Sequence, residues 1–143
     1  SYKLSRDIIS GLKDPRMITH NSFNRAQVLE EFIQSPDPLI LVSPSMERGV
    51  SFNDDLCRWI IVAKMPFLSL GDRIVSDRIY SSTIGRSWYL ATALNTVLQM
   101  TGRGMRSEDD WCESWILDAQ FNRVFREHPL WMPKWWKDAE AWD

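Results

Sequence analysis

Leu39-Ile40-Leu41-Val42-Ser43-Pro44-Ser45-Met46-Glu47-Arg48-Gly49-Val50-Ser51-Phe52 is the stretch on which the fold turns. Its first four residues are apolar without alternation and follow Ser35-Pro36-Asp37-Pro38, which stops the preceding helix. They read as a fully buried strand opening into a loop. Trp59-Ile60-Ile61-Val62-Ala63 is a second continuous apolar run, and Trp115-Ile116-Leu117 a shorter third. Such runs, separated by helical segments, indicate a mostly parallel sheet covered on both faces, hence an α/β chain of three-layer build. Ligands of such sheets bind beyond the carboxyl ends of the strands. The loop after Val42 is one candidate for that rim.

The end of the longest helix is the other. Arg86–Thr101 carries Leu90, Leu94, Val97 and Leu98 at the i, i+4, i+7, i+8 spacing of one buried face. At about 100° per residue, Gln99, Arg103 and Arg106 fall opposite that stripe. Planar guanidinium forks of this kind grip phosphate oxygens bidentately. Gly102 and Gly104 between them let a large ligand approach the backbone. An ordinary solvated helix face carrying two arginines has the same spacing, and spacing alone leaves both readings open.

Upstream, Leu4, Ile8, Ile9 and Leu12 form a helical pattern bounded by Gly11 and Pro15, and Met17-Ile18-Thr19 is a short strand candidate. Asn24 with Gln27 resembles a capping box opening a helix whose apolar face is Val28, Leu29, Phe32 and Ile33. The 143 residues, 44% hydrophobic and 25% charged, fit one globular domain with a core of its own. A formal net charge of −2 gives no basic stripe. Cys57 and Cys112 stand in unrelated contexts, with no metal-ligand spacing, and read as reduced thiols of a cytoplasmic protein. No apolar run has membrane-spanning length. Of the eight tryptophans most lie after residue 110. Trp131, Trp135, Trp136 and Trp142 suggest an aromatic terminal helix packed on the body, a platform for stacking bases, or a surface docking a protein.

Glu47, Gly49 and Ser51 place a carboxylate, a bare backbone position and a hydroxyl close together, as an ordinary strand-to-helix connection also would. No G-x-x-x-x-G-K-[ST] stretch exists, so the chain cannot build the cradle that holds nucleoside triphosphate phosphates. Asp118 ends a strand without an acidic neighbour, and Glu108, Asp109, Asp110 and Glu113 read as a solvated turn. A metal nuclease built from Glu108, Asp109, Asp110 and Asp118 is the weaker alternative. His20 and His128 have no nucleophile motif beside them.

Taken in order, these segments resemble the second motor domain of superfamily 2 helicases of the XPD/DinG type. Gln99-x-x-Gly102-Arg103-x-x-Arg106 matches the Q-x-x-G-R-x-x-R signature of motif VI, and Leu41–Phe52 is similar to motif V, with Ser51 where the family has Asp. Ser1-Tyr2-Lys3-Leu4 looks like the tail of motif IV, Lys64-Met65-Pro66-Phe67 with Asp72 like the K-L-P-F segment, and Ser107–Asp110 and Ile116–Asp118 fit the downstream pattern.

The resemblance implies that residues 1–143 are a RecA-like domain, lacking its first strand, of a longer ATP-dependent DNA helicase. ATP and Mg2+ would be held mainly by a first RecA-like domain of the same protein, with neither bound nor hydrolysed by this stretch alone. It further implies Arg103 and Arg106 as catalytic arginines, and Gln99, Gly102, Glu47, Gly49 and Ser51 as ATP contacts. Ser1, Tyr2, His20, Ser43 and Ser45 would contact single-stranded or forked DNA.

Overall fold

Met17–Thr19 (β1) and Ile40–Val42 (β2) pair in parallel in the computed structural model, Met17 opposite Ile40 and Thr19 opposite Val42. Parallel neighbours cannot be joined by a tight turn, and the return path carries the helix Arg25–Gln34 (α2). The same logic recurs downstream. Trp59–Val62 (β3) pairs in parallel with Glu113–Ile116 (β4), Trp59 opposite Glu113 and Val62 opposite Ile116. The connection between them holds Arg73–Tyr80 (α3) and Gly85–Thr101 (α4). The chain is thus α/β, with two short parallel sheets among the described residues. It divides into two compact units, Ser1–Gly49 and Val50–Asp143. The structure describes residues 1–45, 50, 52, 54–105 and 109–139.

In the first unit Tyr2–Leu12 (α1) turns Leu4, Ile8 and Ile9 inward, while Leu12 is exposed. Gly11 does not end this helix. It lies in the last turn, and Lys13 closes it in the left-handed conformation, φ 52°, its N–H bonded to the Ile9 carbonyl. The turn that follows is fixed by Arg16, whose backbone N–H and guanidinium both donate to Asp14 and hold that carboxyl down at about 2. The expected capping box at Asn24 does not form. Its side chain accepts from the Asn21 N–H at 2.8 Å, and no side-chain bond caps α2. A short polar side chain here serves the incoming turn in preference to the helix.

In the second unit α4 packs its stripe as the periodicity predicts. Leu94 and Val97 are fully buried, Leu90 and Leu98 pack against the same cluster, and Gln99 is exposed. Ala119–Glu127 (α5) contributes Phe121, Val124 and Phe125 to this core, with Met65 and Met132. Thr96 and Thr101, buried on α4, return their hydroxyls to the Thr92 and Val97 carbonyls and so leave no orphan donor.

Trp136, on the short helix Lys134–Asp138 (α6), stands edge-on to Phe121 and Phe125 and donates Nε1–H to Thr101 Oγ1 at 3.0 Å. Trp131 stacks on His128 with 3.7 Å between ring centroids. These two tryptophans are packing residues. Trp135 is exposed, and Trp142 lies outside the described residues.

The strands depart from the expectation of burial on both faces. Residues of β2 are half-buried, and on β3 Trp59 and Ile61 are 60% and 62% exposed while Val62 is buried. Among the described residues each sheet is two strands wide, and a continuous apolar run reports composition, not how many layers cover it. Among the described residues, no helix is long and apolar enough to cross a membrane.

Candidate functional site

Two groups of the expected site residues can be placed, one in each unit. In the first, β1 ends at Thr19 and delivers His20, which is 4% exposed. Its Nδ1 lies 2.9 Å from the Asn21 carbonyl and its Nε2 2.7 Å from Ser43 Oγ. A carbonyl only accepts, so Nδ1 carries the proton, and in the neutral ring Nε2 accepts from the Ser43 hydroxyl. Ser43 Oγ also accepts the Ser45 N–H at 3.3 Å, so the histidine orients the first turn of the loop after β2. Thr19 ties the same strand end across the pair, donating its hydroxyl to the Val42 carbonyl at 2.7 Å. Tyr2 meets His20 edge-on at 6.3 Å.

Tyr2, His20 and Thr19 line a cavity of about 210 Å³ together with Ser5, Arg6 and Asn24. Arg6 was not among the sequence candidates. It lies four residues after Tyr2 on α1, on the same helix face, and that spacing was the signal available for it. Ser1 caps α1 through its carbonyl, which accepts from the Ser5 N–H, and does not line the cavity.

In the second unit α4 ends at Thr101 and the chain tightens into a 3-10 turn, Gly102–Gly104. Arg103 on that turn is half-buried, and its Nη1 donates to the carbonyl of Val50. Val50 and Phe52 are themselves buried, so the arginine is latched to the apolar end of the loop that resembles motif V. Arg106, Glu47, Gly49 and Ser51 lie outside the described residues.

The two glycines of the turn differ. A Cβ on Gly102 would meet nothing within 4 Å, which suits close approach of a ligand. One on Gly104 would lie 2.5 Å from Cys112 Sγ and 2.6 Å from the Cys57 carbonyl oxygen. The space beside Gly104 is therefore filled by the protein itself, contrary to the expectation that it serves a ligand.

The region behind this turn was not legible in the sequence. Cys57 and Cys112, far apart in the chain, are neighbours, because the parallel register of β3 and β4 places both just before the strands. Both are free thiols. Burial first, then the adjoining Cys112, pushes the Cys57 thiol up to about 12, and burial raises Cys112 as well. Asp110 does not belong to a solvated turn. Its carboxylate is buried and receives Nη1 of Arg58, which also donates to the Trp111 carbonyl at 2.7 Å.

Asp118 is likewise committed to structure. One oxygen accepts the Gln120 N–H at the start of α5, the other the Met65 N–H after β3. Asp110 and Asp118 are so engaged, Glu108 lies outside the described residues, and among those described no group of three or more His, Cys, Asp or Glu could hold a metal ion.

The family model of the helicase C-terminal domain matches residues 1–139, and the chain belongs to that family. The chain is 26% identical over 144 aligned residues to the ATP-dependent DNA helicase chl1 of Schizosaccharomyces pombe, covering 85% of this chain and 17% of that protein. It is 26% identical over 117 residues to the ATP-dependent DNA helicase CHL1 of Saccharomyces cerevisiae, covering 71% of this chain and 13% of that protein. For CHL1 of Vanderwaltozyma polyspora the identity is 23% over 139 residues, covering 82% and 17%. The chain thus spans less than a fifth of the length of these curated relatives.

Proposed function

We propose that this chain is the second RecA-like motor domain of an ATP-dependent DNA helicase and completes a nucleotide site whose phosphate-holding half lies on a first domain. The observation that carries this reading is the latch between Arg103 and the Val50 carbonyl, which joins the Gly-Arg turn after α4 to the loop that resembles motif V. An arginine seated beside a glycine with open space, on the turn that ends a helix, suits a triphosphate delivered by a second body. Arg103 and Arg106 act as the charge-stabilising pair in the transition state, with Gln99, Gly102, Glu47, Gly49 and Ser51 as nucleotide contacts. Arginine fingers contribute about 10³–10⁵ in turnover, roughly 4–7 kcal/mol.

ATP is the substrate in this reading. Mg2+ would be held mainly by the first domain. Tyr2, Ser43 and Ser45, with Ser1 and Arg6, form the DNA contact surface, and His20, buried and bonded through both ring nitrogens, positions Ser43 and does not touch the strand itself. Small hydroxyls and one guanidinium there suit the phosphates of a single strand. In this reading nucleotide-driven opening and closing of the two domains moves the strand.

The test restores the first domain and measures DNA-stimulated ATP hydrolysis. Arg103→Ala and Arg106→Ala each abolish turnover in a protein that still folds, and Arg103→Ala, which also removes the Val50 latch, lowers the melting temperature modestly. Hydrolysis at the parent rate by both variants removes the reading's main support, and DNA-stimulated hydrolysis by the 143-residue chain alone contradicts the division of labour.

A further inference from the structure

A second cavity, of about 360 Å³, opens on the unit Val50–Asp143, and none of the residues assigned above lines it. Phe67 and Leu70 after β3, Tyr89 and Leu90 on α4, and Tyr80 at the end of α3 make most of its lining apolar. Two cations stand on it, Arg86 in the first turn of α4 and Arg123 on α5.

Other arginines of this unit are engaged: Arg73 faces Asp77, Arg58 is held by Asp110, and Arg78 lies 4.0 Å over the Trp88 ring. Arg86 and Arg123 are exposed and form no ion pair among the described residues. An apolar hollow of this size flanked by two cations in a chain of net charge −2 is a local departure that calls for a complementary occupant.

We propose that this cavity docks an acidic peptide segment of a partner protein, one apolar side chain entering the hollow while flanking carboxylates pair with Arg86 and Arg123. A basic segment would set like charges against the two guanidiniums, and a purely apolar one would desolvate them without compensation. A nucleic acid strand fits less well. Successive bases need successive ring faces, whereas Phe67 and Tyr89 stack on each other at 5.4 Å, the Tyr89 hydroxyl already donates to the Leu68 carbonyl at 3.0 Å, and of the three rings in the lining Tyr80 alone stands exposed. The inference is independent of the motor reading and stands or falls without it.

The probe is a fluorescein-labelled peptide with one Phe between two pairs of Glu, titrated against the chain by anisotropy and by amide shifts in NMR. A matched peptide with Lys for Glu is the control. The acidic peptide is expected to shift the amides around Phe67–Leu70 and Tyr89–Leu90. Arg86→Glu with Arg123→Glu is expected to weaken it about tenfold or more and to confer binding on the Lys peptide. That swap cannot arise from an unfolded variant, and Glu in the first turn of α4 suits the helix dipole. Equal binding of both peptides, shifts confined to other surfaces, or no binding at millimolar peptide overturns the proposal. A thymidine oligonucleotide perturbing the same amides more strongly than the peptide overturns it in favour of nucleic acid.

Discussion

Gly102 and Gly104 sit two residues apart on one turn, yet alanine at each should have opposite effects. At Gly104 the new Cβ would lie 2.5 Å from Cys112 Sγ, 2.7 Å from Cys112 Cβ and 2.6 Å from the Cys57 carbonyl oxygen. Favourable contacts of such atoms begin near 3.5 Å, so about 1 Å of overlap must be relieved. The Cys57 carbonyl leads directly into β3, whose pairing with β4 limits its retreat.

Overpacking of this kind costs about 1–3 kcal/mol, against about 0.4–1 kcal/mol gained from the stiffer unfolded chain. The net loss then lies between about 0 and 2.6 kcal/mol, and overlap with backbone that cannot rotate aside puts it in the upper half, lowering Tm by about 4–8 °C per kcal/mol for a unit of this size. Gly102 has φ −80° and ψ 3°, which alanine adopts readily, and open space around it. Gly102→Ala should therefore leave stability unchanged or raise it by up to about 1 kcal/mol. Urea and thermal unfolding followed by tryptophan fluorescence reads both. A Gly104→Ala variant as stable as the parent, or a Gly102→Ala variant that is the less stable of the two, refutes the packing argument. In the protein with its first domain present, Gly102→Val should fold normally and lose ATPase activity if nucleotide approaches that bare backbone.

Further outcomes follow from the same geometry. With Cys57 held near 12, its thiolate fraction at neutral pH is on the order of 10⁻⁵. Native Cys57 should therefore be alkylated by iodoacetamide far more slowly than a denatured control. An acid whose folded pKa is raised above its unfolded value stabilises the fold fully below that unfolded value. The contribution is lost as pH climbs from about 9 towards 12. Cys57→Ser should therefore flatten the alkaline decline in Tm. Asp110→Asn removes the buried charge that holds Arg58, so the urea midpoint should fall, whereas Asp109→Asn, at an exposed position, should leave it in place. His20→Ala releases Ser43 and opens the loop after β2; single-strand DNA affinity of the complete protein should drop while nucleotide affinity holds.

What was legible in the sequence was what local periodicity encodes. The α4 stripe, the exposed Gln99 beyond it and the apolar runs of the strands appear where spacing put them. The ordered motif segments also pointed to the right family. What periodicity cannot encode is which distant residues a parallel register brings together. Asp110 reads as one more acid in a polar stretch until Arg58, 52 residues earlier, is placed beside it. Cys57 and Cys112 became neighbours for the same reason, and Gly104 is glycine because of them. Asn24 misled because one side chain can serve either a helix or the turn before it. Trp59 and Ile61 misled because an apolar strand looks alike whether one or both of its faces are covered.

The most direct test of the account is the affinity of the complete protein for ADP with aluminium fluoride, a transition-state mimic, compared with ADP alone, in the parent and in Arg103→Lys. Lysine keeps the charge and loses the planar fork. The account predicts that ADP binds both proteins alike while the mimic binds the lysine variant at least about 100-fold more weakly. Equal affinity of both proteins for the mimic would contradict it.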